Sequence, residues 1–254
     1  LRDADSLVHL AGVPLTMGRD FSLSDRILMM RSLNYSVCQA VKSSSLSRVI
    51  WLSSTIGYPG YESSLTEDMF FSGLPPDRYL EAGQLFRELE SQFDDLKSLN
   101  RSVIILRPTA LYGEFQNYSS CAPHILASLL KRFAKYSGKR LIIKADPIEA
   151  RDWLYSDDMA TALIRVLQNI NHSTHLNIGS GVTTSMFELY KLMVEVCGVD
   201  NLVEVVAEKQ TSGQPIVRAV NTGKSQTLIG DYAKTDLRSG LFKTHRFYVD
   251  QMVS

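Results

Sequence analysis

Hydroxyl and guanidinium side chains follow two apolar runs of this sequence and are the first candidates for chemistry. Ser53, Ser54 and Thr55 end the run that begins at Arg48, and Arg107 follows the run 102–106. Carboxyl ends of parallel strands form ligand crevices, although short polar residues there also serve simply to cap and turn the chain. An arginine at such an end suits a phosphate or carbonyl oxygen. The pattern predicts a ligand-binding edge.

Cysteines and paired acids do not predict a metal centre. Cys38, Cys121 and Cys197 are odd in number, far apart and without CxxC spacing, which argues against a zinc cluster or a disulfide framework. Asp157 and Asp158 are typical of a helix start, where acidic side chains favour the helix dipole. We therefore predict no metal site and a reducing, cytoplasmic location.

Composition limits the class of partner. The 254 residues contain 27 basic and 27 acidic side chains and are 44% hydrophobic, enough to bury a core. A balanced charge provides no basic face for nucleic acid or for a membrane surface. No apolar run approaches the ~20 residues that a membrane span requires. The sequence predicts a globular protein with a small-molecule partner.

Short apolar runs alternate with amphipathic stretches. Strands are predicted at 6–11, 48–53, 102–106 and 174–178, and a helix at about 23–42. In a second helix, Leu85, Leu89, Phe93 and Leu96 share one face. This alternation is typical of a doubly wound parallel α/β sheet covered on both faces. Further helices are predicted at 124–136, 157–167 and 186–196, with strands at 140–143 and 202–206 and short helical pieces after them.

Five stretches, in this order, resemble the extended short-chain dehydrogenase/reductase family of NAD(P)-dependent nucleotide-sugar epimerases, dehydratases and reductases. They are Asp5–Ala11, Val49–Thr55 with Tyr58-Pro59, Leu106–Thr109 with Leu111–Gly113, Arg151–Tyr155 with Asp157-Asp158, and Leu176–Gly181. Each stretch alone is a weak signal, but their shared order is not expected by chance. The resemblance implies a Rossmann-like fold and hydride transfer at a sugar carbon.

The resemblance also implies the catalytic residues. Tyr79 would be the acid/base, and Ser53, Ser54 or Thr55 would orient the substrate hydroxyl. A phenol titrates near pH ~10 and needs a nearby cation to act as a base at neutral pH. The family places a lysine four residues after the tyrosine, on the same helix face. Here that position is Gly83.

Binding residues follow from the same resemblance. Those implied near NAD or NADP are His9, Leu10, Ala11, Asn34, Arg107, Pro108 and Thr109. Those implied near a nucleotide sugar are Tyr112, His124 and Arg151. The segment Ser119–His124, followed by Leu129–Phe133, is similar to that of GDP-fucose synthases. Those enzymes carry a cysteine where this chain has Thr55, so a cysteine–histidine epimerisation pair is not supported.

No Gly-x-Gly-x-x-Gly turn occurs in the sequence, which opens where the resemblance places the fourth strand. We expect an N-terminally truncated sheet, either because this is a piece of a longer protein or because the first βα units were lost. Residues 1–112 with 151–178 would form the dinucleotide-binding domain, and 113–150 with 179–254 a smaller substrate lobe. The helices near 23–42 and 79–98 would pair in a homodimer. A non-catalytic relative that binds sugar nucleotides or serves in assembly is the alternative function.

Overall fold

The computed structural model describes residues 4–15, 21–60, 64–118, 124–134, 136–209 and 216–252. Its strands are β1 (Ser6–His9), β2 (Arg48–Leu52), β3 (Ser102–Pro108), β4 (Ala110–Tyr112), β5 (Leu141–Ala145), β6 (Ala150–Tyr155), β7 (Thr174–Ile178), β8 (Thr183–Ser185), β9 (Val203–Ala207) and β10 (Val217–Arg218). Its α-helices are α1 (Leu23–Lys42), α2 (Leu80–Asp94), α3 (Ile125–Phe133), α4 (Ser156–Asn169), α5 (Met186–Val196), α6 (Gly223–Ile229) and α7 (Leu237–Met252).

A parallel sheet in the order β1-β2-β3-β7 forms the first layer. Alternate residues of β2 and β3 enter different cores, as the pleat requires. Trp51 and Ile105 pack with α1 and α2 on one face, whereas Ile50 and Ile104 pack with α4 and α6 on the other. Helices therefore cover both faces, and the predicted doubly wound α/β fold is confirmed.

A second sheet lies beyond the carboxyl end of β3. Strand β6 pairs in parallel with β4 and β10 and antiparallel with β8, and β5 pairs separately with β9. Helices α3, α5 and α7 form the adjacent core around Leu130, Leu189 and Leu241. The chain enters this sheet at Ala110 and returns to the first layer through α4 and β7. The domain division drawn from the sequence stays a prediction.

The final helix differs from the sequence expectation of short pieces after residue 207. Helix α7 runs for 16 residues, and its Leu241, Thr244 and Tyr248 are buried at helical spacing. Its polar composition concealed this stripe, because the flanking residues are solvent-facing and charged. Among the helices of the described ranges, none combines the length and apolar character that a membrane crossing needs.

Candidate active site

A cavity of about 750 Å³ lies where the carboxyl ends of β2 and β3 face the second sheet. Its wall on the first layer consists of 52–56 and 108–111, and its opposite wall includes 151–153 and Arg218. The start of α2 closes a third side. The predicted site residues that meet here are Ser53, Ser54, Thr55, Tyr79, Pro108, Thr109, His124 and Arg151. The described residues hold no group of three or more His, Cys, Asp or Glu that could bind a metal ion.

The three hydroxyls at the end of β2 have different partners. Ser53 Oγ donates to Glu90 Oε1 at 2.5 Å, so this hydroxyl is committed to the protein interior. Ser54 Oγ accepts from the backbone N–H of Ile56 at 3.2 Å, which leaves its own proton available. Thr55 Oγ1 has no hydrogen-bond partner within the described ranges, although the residue is buried. Thr55 and Ser54 are therefore the hydroxyls that can meet a ligand.

Tyr79 lies at the end of the 3₁₀ turn Asp77–Tyr79, where α2 begins. Its Oη accepts a hydrogen bond from Nη2 of Arg151 at 3.1 Å. Arg151 belongs to β6 of the second sheet, so this bond joins the two walls of the cavity. The buried carboxylate of Glu149 holds Arg151 at 2.9 Å and Arg78 at 3.1 Å. The phenol oxygen of this candidate acid/base therefore accepts a hydrogen bond from a guanidinium group.

No side chain fits at position 83. A Cβ built on Gly83 would lie 2.7 Å from the ring of Pro75 and 2.8 Å from the carbonyl oxygen of Ile56. The lysine of the family pattern could not occupy this position without moving backbone. Instead, Arg151 of β6 donates a hydrogen bond to Tyr79, and Arg78 and Arg218 lie beside its ring.

Replacing Gly83 with alanine is expected to destabilise the protein, although alanine favours a helix by about 1 kcal/mol. Overpacking against backbone costs about 1–3 kcal/mol and exceeds that gain. Urea unfolding would measure the difference. Gly12→Ala is the control, because its Cβ would meet only Met30 Cε at 3.5 Å, an ordinary contact. A Gly83→Ala variant more stable than wild type would contradict this packing.

Arg107 is not brought to the cavity. It is 1% exposed, and its Nε and Nη2 bind the carboxylate of Glu90 at 2.9 and 2.7 Å. Its Nη1 donates to Tyr58 Oη at 2.9 Å and to the carbonyl of Glu67 at 2.8 Å. Every nitrogen of this guanidinium donates a hydrogen bond within the protein. Arg107 therefore stabilises the residues behind the cavity wall and does not face a ligand.

Other predicted residues also lie away from the cavity. Tyr112 is buried in the second core against Tyr155, and its hydroxyl has no hydrogen-bond partner among the described residues. His9 and Asn34 are buried together between β1 and α1, and Leu10 and Ala11 are exposed beyond the end of β1. His9 and Asn34 form a structural pair, whereas Leu10 and Ala11 lie on an accessible edge.

The His9–Asn34 pair predicts a pH effect on stability. Nε2 of His9 lies 3.1 Å from Oδ1 of Asn34, whose Nδ2 donates to the carbonyl of Met30. The imidazole therefore donates through Nε2. Burial lowers the pKa of His9 below its ordinary value of 6.5. The unfolded chain then binds a proton that the folded chain does not, and stability falls as the pH drops below 6.5.

Unfolding at pH 7.5 and pH 5 would test this effect. Wild type should lose more stability on acidification than His9→Gln, at a rate of at most about 1.4 kcal/mol per pH unit. His172→Gln, at an exposed histidine, is the control and should behave as wild type. Equal losses in wild type and His9→Gln would show that His9 does not contribute.

His124 lies at the edge of the cavity, directly before α3. Burial, and then the charge of Arg151, lower the pKa of His124, which favours the neutral imidazole. The neighbouring residues 119–123, which carried the similarity to GDP-fucose synthases, lie outside the described residues. Within the segment Ser119–His124, the structure therefore gives the position of His124 and of no other residue.

Three residues of the site were missed by sequence reasoning. Glu149 orients Arg78 and Arg151, and Arg218 lies in the cavity wall from the two-residue strand β10. Asp152 accepts hydrogen bonds from the backbone N–H groups of Ser180 and Gly181, both at 2.9 Å, and so fixes the turn after β7. Burial raises the pKa of this carboxyl despite those bonds. Only Asp152 had a sequence signal, its place in the Arg151–Tyr155 motif.

The sequence model of the NAD dependent epimerase/dehydratase family matches residues 1–179. The chain belongs to this family. Proteins with similar sequences include the probable GDP-L-fucose synthase 1 of Oryza sativa subsp. japonica, 27% identical over 229 residues that cover 85% of this chain and 66% of the relative. The GDP-L-fucose synthase of Sinorhizobium fredii is 25% identical over 242 residues, covering 93% of this chain and 74% of the relative. The resemblance inferred from the motifs is confirmed.

Solved structures agree on the fold of this epimerase/dehydratase family member. UDP-glucose 4-epimerase of Thermotoga maritima, solved with UDP-glucose, superposes with a TM-score of 0.78 at 20% identity, covering 98% of this chain and 78% of that one. MoeE5, solved with UDP-glucose and NAD, gives a TM-score of 0.78 at 22% identity, covering 100% of this chain and 81% of that one. The chain spans 66% of the length of the rice relative and 44% of the putative GDP-L-fucose synthase 2 of Arabidopsis thaliana.

Proposed function

We propose that this chain binds a nucleotide sugar together with NAD or NADP, and that Tyr79 exchanges a proton with a hydroxyl of the sugar. The observation that carries the proposal is the meeting of Tyr79, Thr55 and Arg151 in one cavity, from three separate parts of the chain. That cavity lies at the carboxyl edge of a parallel sheet, where this fold class binds ligands. The activity is that of an epimerase, dehydratase or reductase.

The side chains have separate roles in this proposal. The hydroxyl groups of Thr55 and Ser54 can each form a further hydrogen bond, and they would orient the sugar hydroxyl that reacts. Tyr79 Oη would accept the proton of that hydroxyl and return it, while Arg151 stays within hydrogen-bond distance of the same oxygen. Arg151 and His124, in the wall opposite Thr55, would contact the nucleotide sugar. Guanidinium groups suit its diphosphate oxygens.

The residues present fit the nicotinamide half of a dinucleotide. Ser54, Thr55, Pro108 and Thr109 would surround the ring, and the exposed Leu10 and Ala11 would lie along the outer half. When bound, the dinucleotide supplies the donor or acceptor of a hydride. The protein's part is to hold the sugar, keep water from it and manage the proton at Tyr79.

Binding of the dinucleotide tests the proposal directly. NADH and NADPH would be titrated into the chain with UDP-glucose or GDP-mannose present, and nicotinamide fluorescence recorded. We expect one of them to bind with a Kd tighter than about 100 µM, roughly −5.5 kcal/mol. Thr55→Val should weaken binding about fivefold, since one hydrogen bond contributes about 1 kcal/mol. Thr66→Val, outside the cavity, is the control. No saturable binding of either dinucleotide would contradict the proposal.

We also propose that α1 and α2 contact a second copy of the chain. Leu28 and Tyr35, seven residues apart on one face of α1, are 61% and 57% exposed, beside the surface ion pair of Arg31 with Glu88. Apolar side chains that share an exposed helix face are typical of a contact surface. Sedimentation should show a dimer that Leu28→Glu dissociates, whereas Ile164→Glu, on exposed α4, should not. A monomeric wild type would rule this out.

A further inference from the structure

Arg218 carries a guanidinium that takes part in no hydrogen bond with the described residues. It lies on β10 next to Arg151, its register partner on β6. Its Nε and Nη2 are buried and have no hydrogen-bond partner within the described part of the chain. Its Cζ lies 4.6 Å from the centre of the Tyr79 ring. A buried cation with unpaired donors is costly, so its position against Tyr79 requires a reason.

The charges around Tyr79 are unbalanced. Arg78 and Arg151 share the carboxylate of Glu149, whereas no carboxylate among the described residues lies within salt-bridge distance of Arg218. Three guanidinium groups therefore lie against this phenol, and within the described residues Glu149 is the one carboxylate that forms an ion pair with any of them. Burial lowers the pKa of Arg218, but an arginine keeps its charge at neutral pH.

A phenolate would correct this imbalance. Arg151 already donates to the oxygen on which the negative charge would lie, at 3.1 Å. Arg218 lies against the ring over which that charge is delocalised. A positive charge within ~4–6 Å favours the ionised form of an acid. Position 83 on α2 has no room for a cation of its own, since Pro75 and the carbonyl of Ile56 fill it.

We propose that Arg151 and Arg218 together favour the proton-accepting form of Tyr79, a role that no side chain at position 83 could fill. In this role the two arginines act through Tyr79 and are positioning residues; Arg151 bonds Tyr79 and Glu149 through Nη2 alone, which leaves its other N–H groups for the nucleotide sugar. The inference rests on the proposed function, in which the O–H bond of a sugar hydroxyl breaks and an O–H bond forms on Tyr79. The cations for this proton transfer then come from β6 and β10 of the second sheet, and not from position 83 on α2.

Charged groups of the described residues face Tyr79 or its cavity from several elements, among them Asp77 and Glu81 on its own turn and helix, Asp152 on β6 and His124 before α3. Arg78 precedes it on the same turn, Arg151 faces it from β6, Arg218 from β10 and Glu149 from the residue before β6. Burial raises the pKa of several other tyrosines, so these ionise at higher pH than an ordinary phenol. These are Tyr58, Tyr112, Tyr118, Tyr155, Tyr190 and Tyr232.

The near-ultraviolet absorbance of the phenolate, followed from neutral to alkaline pH, would test the proposal without substrate or dinucleotide. The difference between wild type and Tyr79→Phe isolates the titration of this one phenol, and each arginine variant is paired with its own Tyr79→Phe double variant. Arg218→Met and Arg151→Met should each move the midpoint to higher pH by about one unit or more. Arg140→Met removes an exposed arginine paired with Glu204 and should leave it unchanged.

Conservative variants keep the test independent of folding. Arg218→Gln and Arg151→Gln keep a polar side chain but not the charge and should raise the midpoint as the methionine variants do, whereas a role in packing or hydrogen bonding alone would be partly restored; lysine is unsuitable because it loses its own charge near the pH at which a phenol titrates. Midpoints that stay within 0.3 pH units (about 0.4 kcal/mol) in both methionine variants would overturn the proposal. Because the titration needs no turnover, it can succeed even if no nucleotide sugar reacts, which would contradict the proposed function alone.

Discussion

Replacing Tyr79 with phenylalanine is expected to slow nucleotide-sugar turnover by about 10²–10⁴-fold, the usual effect of losing a positioned acid/base. The phenyl ring would still lie against Arg218, so the cavity keeps its shape. Only the hydroxyl and its 3.1 Å hydrogen bond from Arg151 would be lost. The loss should therefore fall on kcat, with KM changed little. Steady-state kinetics on the nucleotide sugar that the wild type accepts would measure it.

The chain offers a matched control for this variant. Tyr136 Oη donates to the carbonyl of Lys139 at 2.6 Å and is outside the cavity lining. Tyr136→Phe removes the same atom from another tyrosine and should turn over substrate as wild type does. Wild-type kcat in Tyr79→Phe would exclude Tyr79 as the acid/base.

Breaking the buried ion pair between Arg107 and Glu90 is expected to have the largest effect on stability. Arg107→Met would leave the Glu90 carboxylate with Ser53 alone, at a cost of about 3–5 kcal/mol. Tyr58 would lose its bond from Arg107 while keeping its 2.7 Å bond to Asn177. The affected groups come from the ends of β2, β3 and β7, so the cavity floor should loosen with the fold. Equilibrium unfolding in urea would measure the change.

Two further variants isolate the cause. Arg140→Met breaks the exposed ion pair with Glu204, which lies away from α1 and α2, and should cost only about 0–1 kcal/mol. The double variant Glu90→Leu with Arg107→Met removes both charges and should recover part of the loss. If Arg107→Met were as stable as Arg140→Met, the buried network would not be the support we describe.

Much of the fold was predictable because local patterns encode it. The predicted bounds of α1, α5 and β7 match the structure, and those of β2, β3 and α4 differ by one or two residues. A buried strand appears in the sequence as an apolar run, whereas the apolar residues of an amphipathic helix recur about every 3.6 positions. Helix α7 was underestimated because a narrow buried stripe in a polar helix gives a weak pattern.

The candidate site was only partly predictable. The end of β2, Tyr79 and Arg151 were recognisable from ordered motifs, and the structure brings them together. Arg107 looked equally suited to a ligand, but its partners Glu90 and Tyr58 are 17 and 49 residues away in sequence. A side chain that binds within the protein and one that faces a cavity can follow the same local pattern.

The sequence by itself determined the family, the doubly wound sheet and the absence of a lysine four residues after Tyr79. Only the tertiary structure decided that Pro75 fills the space at Gly83, and that Arg151 and Arg218 surround the tyrosine. The physical reason is the range of the interactions. Patterns of buried residues and the residue preferences of turns depend on neighbours in the chain. The two arginines beside Tyr79 instead lie 72 and 139 residues further along the sequence, on strands that the second sheet places next to α2.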